Sequence, residues 1–210
     1  MGVITAIEVQ KKRGDRISIF VDGKFAVGAH EEAIAALNLR VGQTFDSERL
    51  AEVVNKETLR KARESALRLI SYRDRTESEI RKRLVGNDFP EEIVDNVIDQ
   101  LFRMGFLDDE KFSRDWVKMR TLSRPMGRTR LAWELKAKGV EQLKVEEALE
   151  HVDENAEYEM ALSLVRKKAE KSDTSDPSFR NKTVSFLQRR GFVWDVITKA
   201  LDEVCSQEGD

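Results

Sequence analysis

Apolar and polar residues alternate along the first thirty residues of the chain. The alternation has a period of two and covers residues 4–9, 17–21 and 25–27. Successive residues of a strand point to opposite faces of a sheet, so this pattern predicts strands with one buried face. Asp22 and Gly23 lie between the last two runs and are typical of a two-residue hairpin turn. We therefore predict a small antiparallel sheet at the start of the chain.

The spacing of apolar residues becomes helical after residue 30. A short helix is predicted first, and from about residue 60 the helical spacing continues to the end of the chain. The sequence contains only 3 prolines and 11 glycines. A barrel of many short strands would need more of these turn-forming residues. The sequence therefore predicts a mainly α fold.

One sequence frame occurs three times in the helical part of the chain. It consists of a leucine, a turn residue four positions later and an apolar residue next. The three copies are Leu84-Asp88-Phe89, Leu135-Gly139-Val140 and Leu187-Gly191-Phe192. Copies spaced by about fifty residues indicate a tandem repeat, and a further helical stretch lies on each side of every copy. We predict three units of three helices in an elongated array.

Four segments follow from this pattern. They are an N-terminal β-hairpin and short-helix module at 1–58 and three-helix repeats at 59–107, 108–155 and 156–206. Thr76 and Glu79 have the spacing of a capping box, which supports a helix start in the first repeat. The third repeat has the longest internal loop, at residues 171–177.

Charge follows the same repeat, although the whole chain has 37 basic and 39 acidic residues and a net charge of −2. Basic residues outnumber acidic ones by nine to four at 60–83, seven to one at 118–138 and eight to three at 166–190. Acidic residues prevail by seven to one at 91–110 and eight to one at 141–160. Stacked repeats could present the basic blocks as one stripe. Alternatively, the acidic and basic blocks pair with one another or are simply solvated.

Residues for catalysis or metal binding form no known motif in the sequence. His30 and His151 are far apart, and neither has a Cys or His at ligand spacing. The Asp108-Asp109 pair could bind Mg²⁺, but Asp108 is better placed as the N-cap of a helix, with Asp109 in its first turn. We predict that the protein is not an enzyme and has no catalytic residues, metal or cofactor.

The chain lacks the features of an exported or membrane protein. Cys205 is the only cysteine, so no disulfide can form within the chain, and the opening residues contain no apolar stretch long enough for a signal peptide or a membrane span. We expect a cytoplasmic, monomeric protein that does not bind a membrane.

Four stretches of the chain resemble the RecX family of regulators of the RecA recombinase. Residues 72–84 resemble its arginine-rich helix with a Ser/Thr and Glu cap, and 105–109 its Gly-aromatic-Leu-Asp-Asp joint. Residues 127–140 resemble its Gly, Glu-Leu and Lys-Gly-Ile/Val run, and 190–192 its late Arg-Gly-aromatic element. The resemblance covers about residues 60–205, and the N-terminal sheet is similar to an extension that many members carry. Met126 departs from the family's usual aromatic or small residue.

The resemblance implies a non-enzymatic protein that binds the RecA nucleoprotein filament along its groove. It also implies modulation, mainly inhibition, of strand exchange, ATPase and coprotease activity in DNA repair and the SOS response. The predicted partner-binding residues are basic residues of the repeats: Arg73, Arg75, Arg81, Arg83, Arg128, Arg130, Lys136, Lys138, Arg189 and Arg190. Two alternatives stay open: a helical-repeat protein that binds single- or double-stranded DNA without RecA, and a scaffold whose charges are only solvated.

Overall fold

The computed structural model of the 210-residue chain describes residues 1–10, 16–150, 152–174 and 176–206. His151 and one residue of the predicted 171–177 loop, Ser175, lie outside the described residues. The chain divides into two compact units, Met1–Asp108 and Asp109–Asp210. The predicted class, mainly helical with a small N-terminal antiparallel sheet and three-helix repeats, is confirmed.

The first unit opens with the predicted antiparallel sheet. Its elements are β1 (Gly2–Val9), β2 (Arg16–Val21), β3 (Lys24–His30), helix α1 (Glu31–Ala36) and β4 (Thr44–Phe45). The strand order is β3-β2-β1-β4, and the neighbouring strands are antiparallel. Asp22 and Gly23 have φ angles of 49° and 76°, as a tight hairpin turn between right-twisted strands requires. Ile4 and Ile19 are fully buried, so the period-two pattern marks the face that packs inward.

A single helix of 26 residues, α2 (Ser47–Tyr72), follows the sheet. Leu50 and Val54 in its first half belong to the hydrophobic core of the sheet module. Ala62 and Ala66 in its second half belong to the core of the first repeat. The predicted limit between residues 58 and 59 therefore falls inside a continuous helix that the two segments share, and the predicted domain limits stay a prediction.

His30 joins the sheet module to the first repeat. Its Nε2 lies 2.9 Å from the carbonyl oxygen of Asn87, and its ring stacks on Phe89 with centroids 4.4 Å apart. Its Nδ1 accepts a hydrogen bond from the Glu32 amide at the start of α1. This histidine is buried and has a packing role within the first unit.

Three helices form each repeat. The first contains the second half of α2, α3 (Glu77–Gly86) and α4 (Glu91–Arg103); the second contains α5 (Asp109–Ser123), α6 (Arg128–Ala137) and α7 (Gln142–Ala148); the third contains α8 (Glu154–Ala169), α9 (Pro177–Arg189) and α10 (Trp194–Ser206). Each repeat has a hydrophobic core of its own. The leucines of the repeated frame, Leu84, Leu135 and Leu187, are fully buried in these three cores.

The repeated frame is a helix-ending motif. Its turn residues Asp88, Gly139 and Gly191 have φ angles of 60°, 78° and 82°. In each copy the amide of the next, apolar residue donates to the carbonyl of the frame leucine, with N···O distances of 3.1–3.2 Å. This is the Schellman arrangement, in which a left-handed residue satisfies the last carbonyls of a helix. Glycine adopts this conformation without strain, whereas Asp88 does so at a cost of about 1 kcal/mol.

Helix starts also follow the sequence. The Glu79 amide donates to Thr76 Oγ1 at 3.2 Å and the Thr76 amide donates to Glu79 Oε2 at 3.4 Å, so the predicted capping box is present. Helix α5 begins at Asp109, directly after Asp108, and Asp109 and Glu110 occupy its first turn. In the part of the chain that the structure describes, no helix combines the length and the apolar character needed to cross a membrane.

Asp108→Ala is expected to lower the free energy of unfolding by about 1 kcal/mol, as for the loss of an N-cap. Chemical denaturation followed by circular dichroism measures this change. Asp115→Ala is the control, because Asp115 is exposed within the same helix and its loss should change the free energy by less than about 0.5 kcal/mol. Weaker binding to a partner at an unchanged free energy of unfolding would instead indicate that Asp108 contacts the partner.

Candidate functional site

Two of the predicted basic residues of the first repeat bond to their own repeat. Arg73 pairs with Glu79 at 2.8 Å, and this hydrogen-bonded carboxylate raises the pKa of Arg73. Arg75 Nε donates to the carbonyl oxygen of Leu69 at 3.1 Å. Both side chains therefore hold the loop between α2 and α3 to the helices that flank it.

Arg81 is also paired within the first repeat. It bonds Asp95 of α4 and, at 3.1 Å, Glu77 of α3; the bond to Asp95 is the main cause of the raised pKa of Arg81. These groups are partly exposed, so the pairs add little stability. The side chain of Arg83 is exposed and forms no hydrogen bond or ion pair with any residue that the structure describes. Of the four predicted residues in this repeat, Arg83 is the one whose charge stays available.

Arg128 connects α6 to the segment that follows α7. Its guanidinium donates to the carbonyl oxygens of Leu149 (2.8 Å) and Val152 (3.1 Å), just beyond the end of α7. Its amide donates to the carboxylate of Glu157 at 3.0 Å. Glu157 is buried, and burial raises the pKa of this carboxyl although the Arg128 amide opposes the change. Charge reversal at Arg128 would break these contacts and is therefore a poor probe of partner binding.

A hollow of about 510 Å³ lies between α6 and α7. Ala132, Val145 and Leu149 form its apolar part. Trp133 of α6 and Val193, which precedes α10, also line it, and they are 57% and 45% exposed. Two large apolar groups beside an open hollow are left in contact with water, which marks this place as a candidate contact surface.

Basic side chains flank the exposed tryptophan. The Arg130 guanidinium lies 4.3 Å from the centroid of the Trp133 ring, within range of a cation–π interaction, and its Nε is 3.5 Å from Glu134. Lys136 lines the same hollow and is exposed, and its side chain has no hydrogen bond or ion pair with a described residue. We call the group of Arg130, Trp133, Lys136 and Val193 with this hollow the Trp133 surface.

Lys138 belongs to an interior network instead. Its Nζ lies 4.5 Å from the ring centroid of Trp116 and 5.4 Å from that of Phe112. Trp116 Nε1 and Arg120 Nε donate to the buried carboxylate of Glu134, at 3.1 and 2.9 Å. Lys138 therefore packs on the aromatic pair that helps to hold α5 against α6.

Arg190 connects the third repeat to the second. Its guanidinium donates to the Pro125 carbonyl at 3.0 Å, and its own carbonyl accepts from the Gly127 amide at 2.9 Å. The guanidinium also lies 4.5 Å from the centroid of the Phe186 ring. Burial, and to a smaller extent the charge of Arg124, lower the pKa of Arg190.

A second hollow, of about 470 Å³, lies between α8 and α9. We call it the Lys168 hollow; its lining residues are Lys168, Asn181, Lys182, Ser185, Phe186 and Arg189. Arg189 is the only one of them among the predicted site residues. Its side chain is exposed and has no hydrogen bond or ion pair within the described part of the chain.

The ten predicted residues thus differ in their surroundings, and their role in binding stays a prediction. The side chains of Arg73, Arg75, Arg81, Arg128 and Arg190 all bond within the chain, whereas those of Arg83, Lys136 and Arg189 are exposed and have no hydrogen bond or ion pair with a described residue. Sequence reasoning missed Trp133, Lys168 and Lys182. The exposure of Trp133 could have been predicted from the sequence. Trp133 lies between Leu131 and Glu134 in a short helix, and because those two residues share the buried face, the helical period places Trp133 on the outward face.

No group of three or more His, Cys, Asp or Glu residues that could hold a metal ion is found in the described ranges.

The fold defines a protein in which a small sheet module precedes three tandem three-helix repeats. Models of the regulatory protein RecX N-terminal domain and of the first, second and third RecX three-helix domains match residues 2–46, 62–101, 108–149 and 155–201.

Curated relatives agree with these matches over almost the whole chain. Regulatory protein RecX of Clostridioides difficile (strain 630) is 30% identical over 205 residues, which cover 97% of this chain and 96% of the relative. Regulatory protein RecX of Clostridium botulinum (strain Alaska E43 / Type E3) is 31% identical over 211 residues, 99% of each chain. The chain belongs to the RecX family of regulatory proteins, as the resemblance predicted.

Solved structures show the same fold. A crystal structure of regulatory protein RecX superposes with a TM-score of 0.66 at 27% identity and covers 96% of this chain and 100% of its own. The crystal structure of RecX from Lactobacillus salivarius has a TM-score of 0.63 at 24% identity and covers 69% of this chain and 95% of its own. The second match is a likeness of fold alone.

Proposed function

We propose that the protein regulates the RecA recombinase. It binds the RecA–DNA filament and modulates, mainly lowers, strand exchange, ATPase and coprotease activity in DNA repair and the SOS response. It acts by binding and carries out no reaction of its own. Membership in a family of regulatory proteins supports this proposal, and the family resemblance supplies RecA as the partner.

The Trp133 surface is the observation that carries the proposal. Tryptophan and arginine are enriched among the residues that dominate protein–protein binding energies, and such residues act beside well-packed pockets. Trp133 and Arg130 are in contact and partly exposed, and Trp133 borders an apolar hollow. Lys136 adds a positive charge that forms no ion pair with a described residue. This surface fits an apolar side chain of a partner protein with a carboxylate close by.

A protein fits the Trp133 surface better than DNA does. The hollow has an apolar interior, and its lining includes the carboxylates of Glu146 and Glu157. Phosphate groups are strongly hydrated and would gain nothing from an apolar interior, whereas an apolar side chain of a protein would be removed from water there. We therefore assign this surface to the protein part of the filament.

Trp133→Ala tests the assignment. Loss of a central tryptophan should raise the concentration that half-suppresses the ATPase of RecA on single-stranded DNA by about thirtyfold, as for a hot spot of about 2 kcal/mol. The side chain is 57% exposed, so the variant should remain folded. Leu143→Ala is the matched control, since Leu143 is 60% exposed on the neighbouring α7 but does not line the hollow.

Two results would count against this assignment. One is a folded Trp133→Ala variant that suppresses the ATPase as strongly as the unchanged protein. The other is an equal loss in the Leu143→Ala control, which would mean that any truncation on this side of the second repeat has the same effect.

A further inference from the structure

The Lys168 hollow differs from the Trp133 surface in its chemistry. Three of its lining residues are basic, two carry an amide or a hydroxyl, and one is aromatic. None of its lining residues that the structure describes is acidic. The hollow therefore offers positive charge and hydrogen-bond donors beside one aromatic ring.

The basic groups of the hollow are not neutralised by ion pairs within the described chain. Lys168 Nζ lies 5.6 Å from the centroid of the Phe186 ring, and Lys182 Nζ donates to the Ser178 hydroxyl at 3.1 Å. Neither side chain, nor that of Arg189, is within ion-pair distance of a carboxylate among the described residues. An uncompensated group of three cations in one concavity attracts an anion.

One carboxylate, that of Asp176, lies close enough to Lys182 to feel its charge. Its main partner is Ser178, whose hydroxyl and amide both bond to it and lower the pKa of Asp176; Lys182 contributes less. Asp176 thus serves as the N-cap of α9. It does not line the hollow.

Other arginines of the third repeat do have acidic partners. Arg166 pairs with Glu203 at 2.6 Å and Arg180 pairs with Asp202 at 2.8 Å, both across to α10. The carboxylates of α10 therefore compensate the side of α8 and α9 that faces them. The basic residues of the Lys168 hollow have no such acidic partner among the described residues.

Positive charge continues from the hollow toward the second repeat. Arg190 lies 4.5 Å from the Phe186 ring centroid, on the residue that also contacts Lys168. Arg124 is near enough to disfavour the charged form of Arg190, after the larger effect of burial. The Arg190 guanidinium therefore adds a further positive charge close to the hollow.

We propose that the Lys168 hollow binds the phosphates of a nucleic-acid strand, with Lys168, Lys182 and Arg189 as the phosphate contacts. Interfaces with nucleic acids are more polar and far more positive than those with proteins. The centre of a protein interface is poor in charged side chains, whereas three of the six residues that line this hollow are charged and only Phe186 is a large apolar group. The site's part in regulating a filament rests on the proposed function, whereas nucleic-acid binding itself does not.

The test uses the full chain and a fluorescein-labelled oligothymidylate, with RecA left out. Anisotropy is measured over a series of salt concentrations for the unchanged protein and for the double variant Lys182→Ala, Arg189→Ala. Lys24→Ala, Lys118→Ala is the control: it removes the same charge from exposed positions that do not line the hollow. Circular dichroism confirms that each variant retains its helices.

The unchanged protein should bind with an affinity that falls steeply with salt. The double variant should bind about tenfold more weakly at low salt, with a slope of log K against log salt that is smaller by about 1.4, since each single-strand phosphate contact contributes about 0.7. The control should behave like the unchanged protein. Equal binding by the double variant and the unchanged protein, or no binding by the unchanged protein, would overturn the inference.

Polyglutamate serves as a competitor that separates nucleic acid from acidic protein. Displacement of the oligonucleotide by polyglutamate at equal charge concentration, with the same dependence on Lys182 and Arg189, would make the hollow a site for acidic protein and would also overturn the inference. Because RecA is absent, this test and the proposed function can fail separately. Binding of the oligonucleotide through the hollow, together with an unchanged ATPase rate of RecA, would support the nucleic-acid site and contradict the proposed function.

Discussion

Gly127→Ala should lower the free energy of unfolding by about 3 kcal/mol, the upper part of the range for overpacking. A Cβ atom at Gly127 would lie 2.2 Å from the carbonyl oxygen of Gly191 and 2.4 Å from the amide nitrogen of Phe192. These are backbone atoms, so no flexible side chain can move aside. The Gly127 amide also donates to the Arg190 carbonyl, a bond that such a displacement would strain. The backbones of the second and third repeats would then have to move apart at Gly127 and Gly191.

Chemical denaturation of Gly127→Ala and of Gly86→Ala measures this effect against a matched control. Gly86 lies at the end of α3, and beyond its chain neighbours and the backbone of its own helix no atom lies within 4 Å of a Cβ position. Alanine there should leave the free energy of unfolding unchanged or raise it by about 0.4–1 kcal/mol, since it restricts the unfolded chain. Equal stability of Gly127→Ala and the unchanged protein would contradict the close approach of the two repeats.

Glu134→Ala is expected to lower the free energy of unfolding by about 3 kcal/mol. Glu134 is buried in α6, and its carboxylate accepts from Trp116 and Arg120 and lies 3.5 Å from the Arg130 guanidinium. Its removal leaves donors in a partly buried site without an acceptor, which costs more than the hydrogen bonds themselves contribute. Since Trp116 and Arg120 lie on α5, the loss also weakens the contact between α5 and α6.

Glu134→Gln distinguishes the loss of the acceptor from the loss of charge. Glutamine keeps an oxygen that can accept from Trp116 or Arg120, so the expected loss is about 1 kcal/mol. The measurement is the midpoint and slope of urea denaturation for both variants. A Glu134→Ala variant as stable as Glu134→Gln would show that the buried network does not hold these helices together.

Local signals in the sequence predicted most of the fold. The repeated frame ends its helix in each copy because a left-handed turn residue and a buried apolar residue are fixed by a few adjacent positions, as Leu135, Gly139 and Val140 illustrate. The continuity of α2 was missed. No glycine or proline interrupts residues 47–72, and the change from one hydrophobic core to the next leaves no break in the helical spacing.

The candidate site was less predictable because the partner of each charge lies far along the sequence. Arg81 meets Asp95 of the next helix, and Arg128 meets carbonyls near residue 150. Block counts of charge cannot separate these bonded arginines from the exposed Lys136. The Lys168 hollow depends on how α8 and α9 pack, which brings Lys168 and Lys182 to one concavity.

The most direct test of the central claim is the rate of ATP hydrolysis by RecA on single-stranded DNA as the protein is titrated. Binding of the protein to the same DNA without RecA is measured in parallel. We expect suppression at substoichiometric amounts relative to RecA, and at concentrations well below those at which the protein occupies the DNA alone. An unchanged rate at saturating protein, or suppression that begins only when the DNA itself is covered, would contradict regulation through the filament.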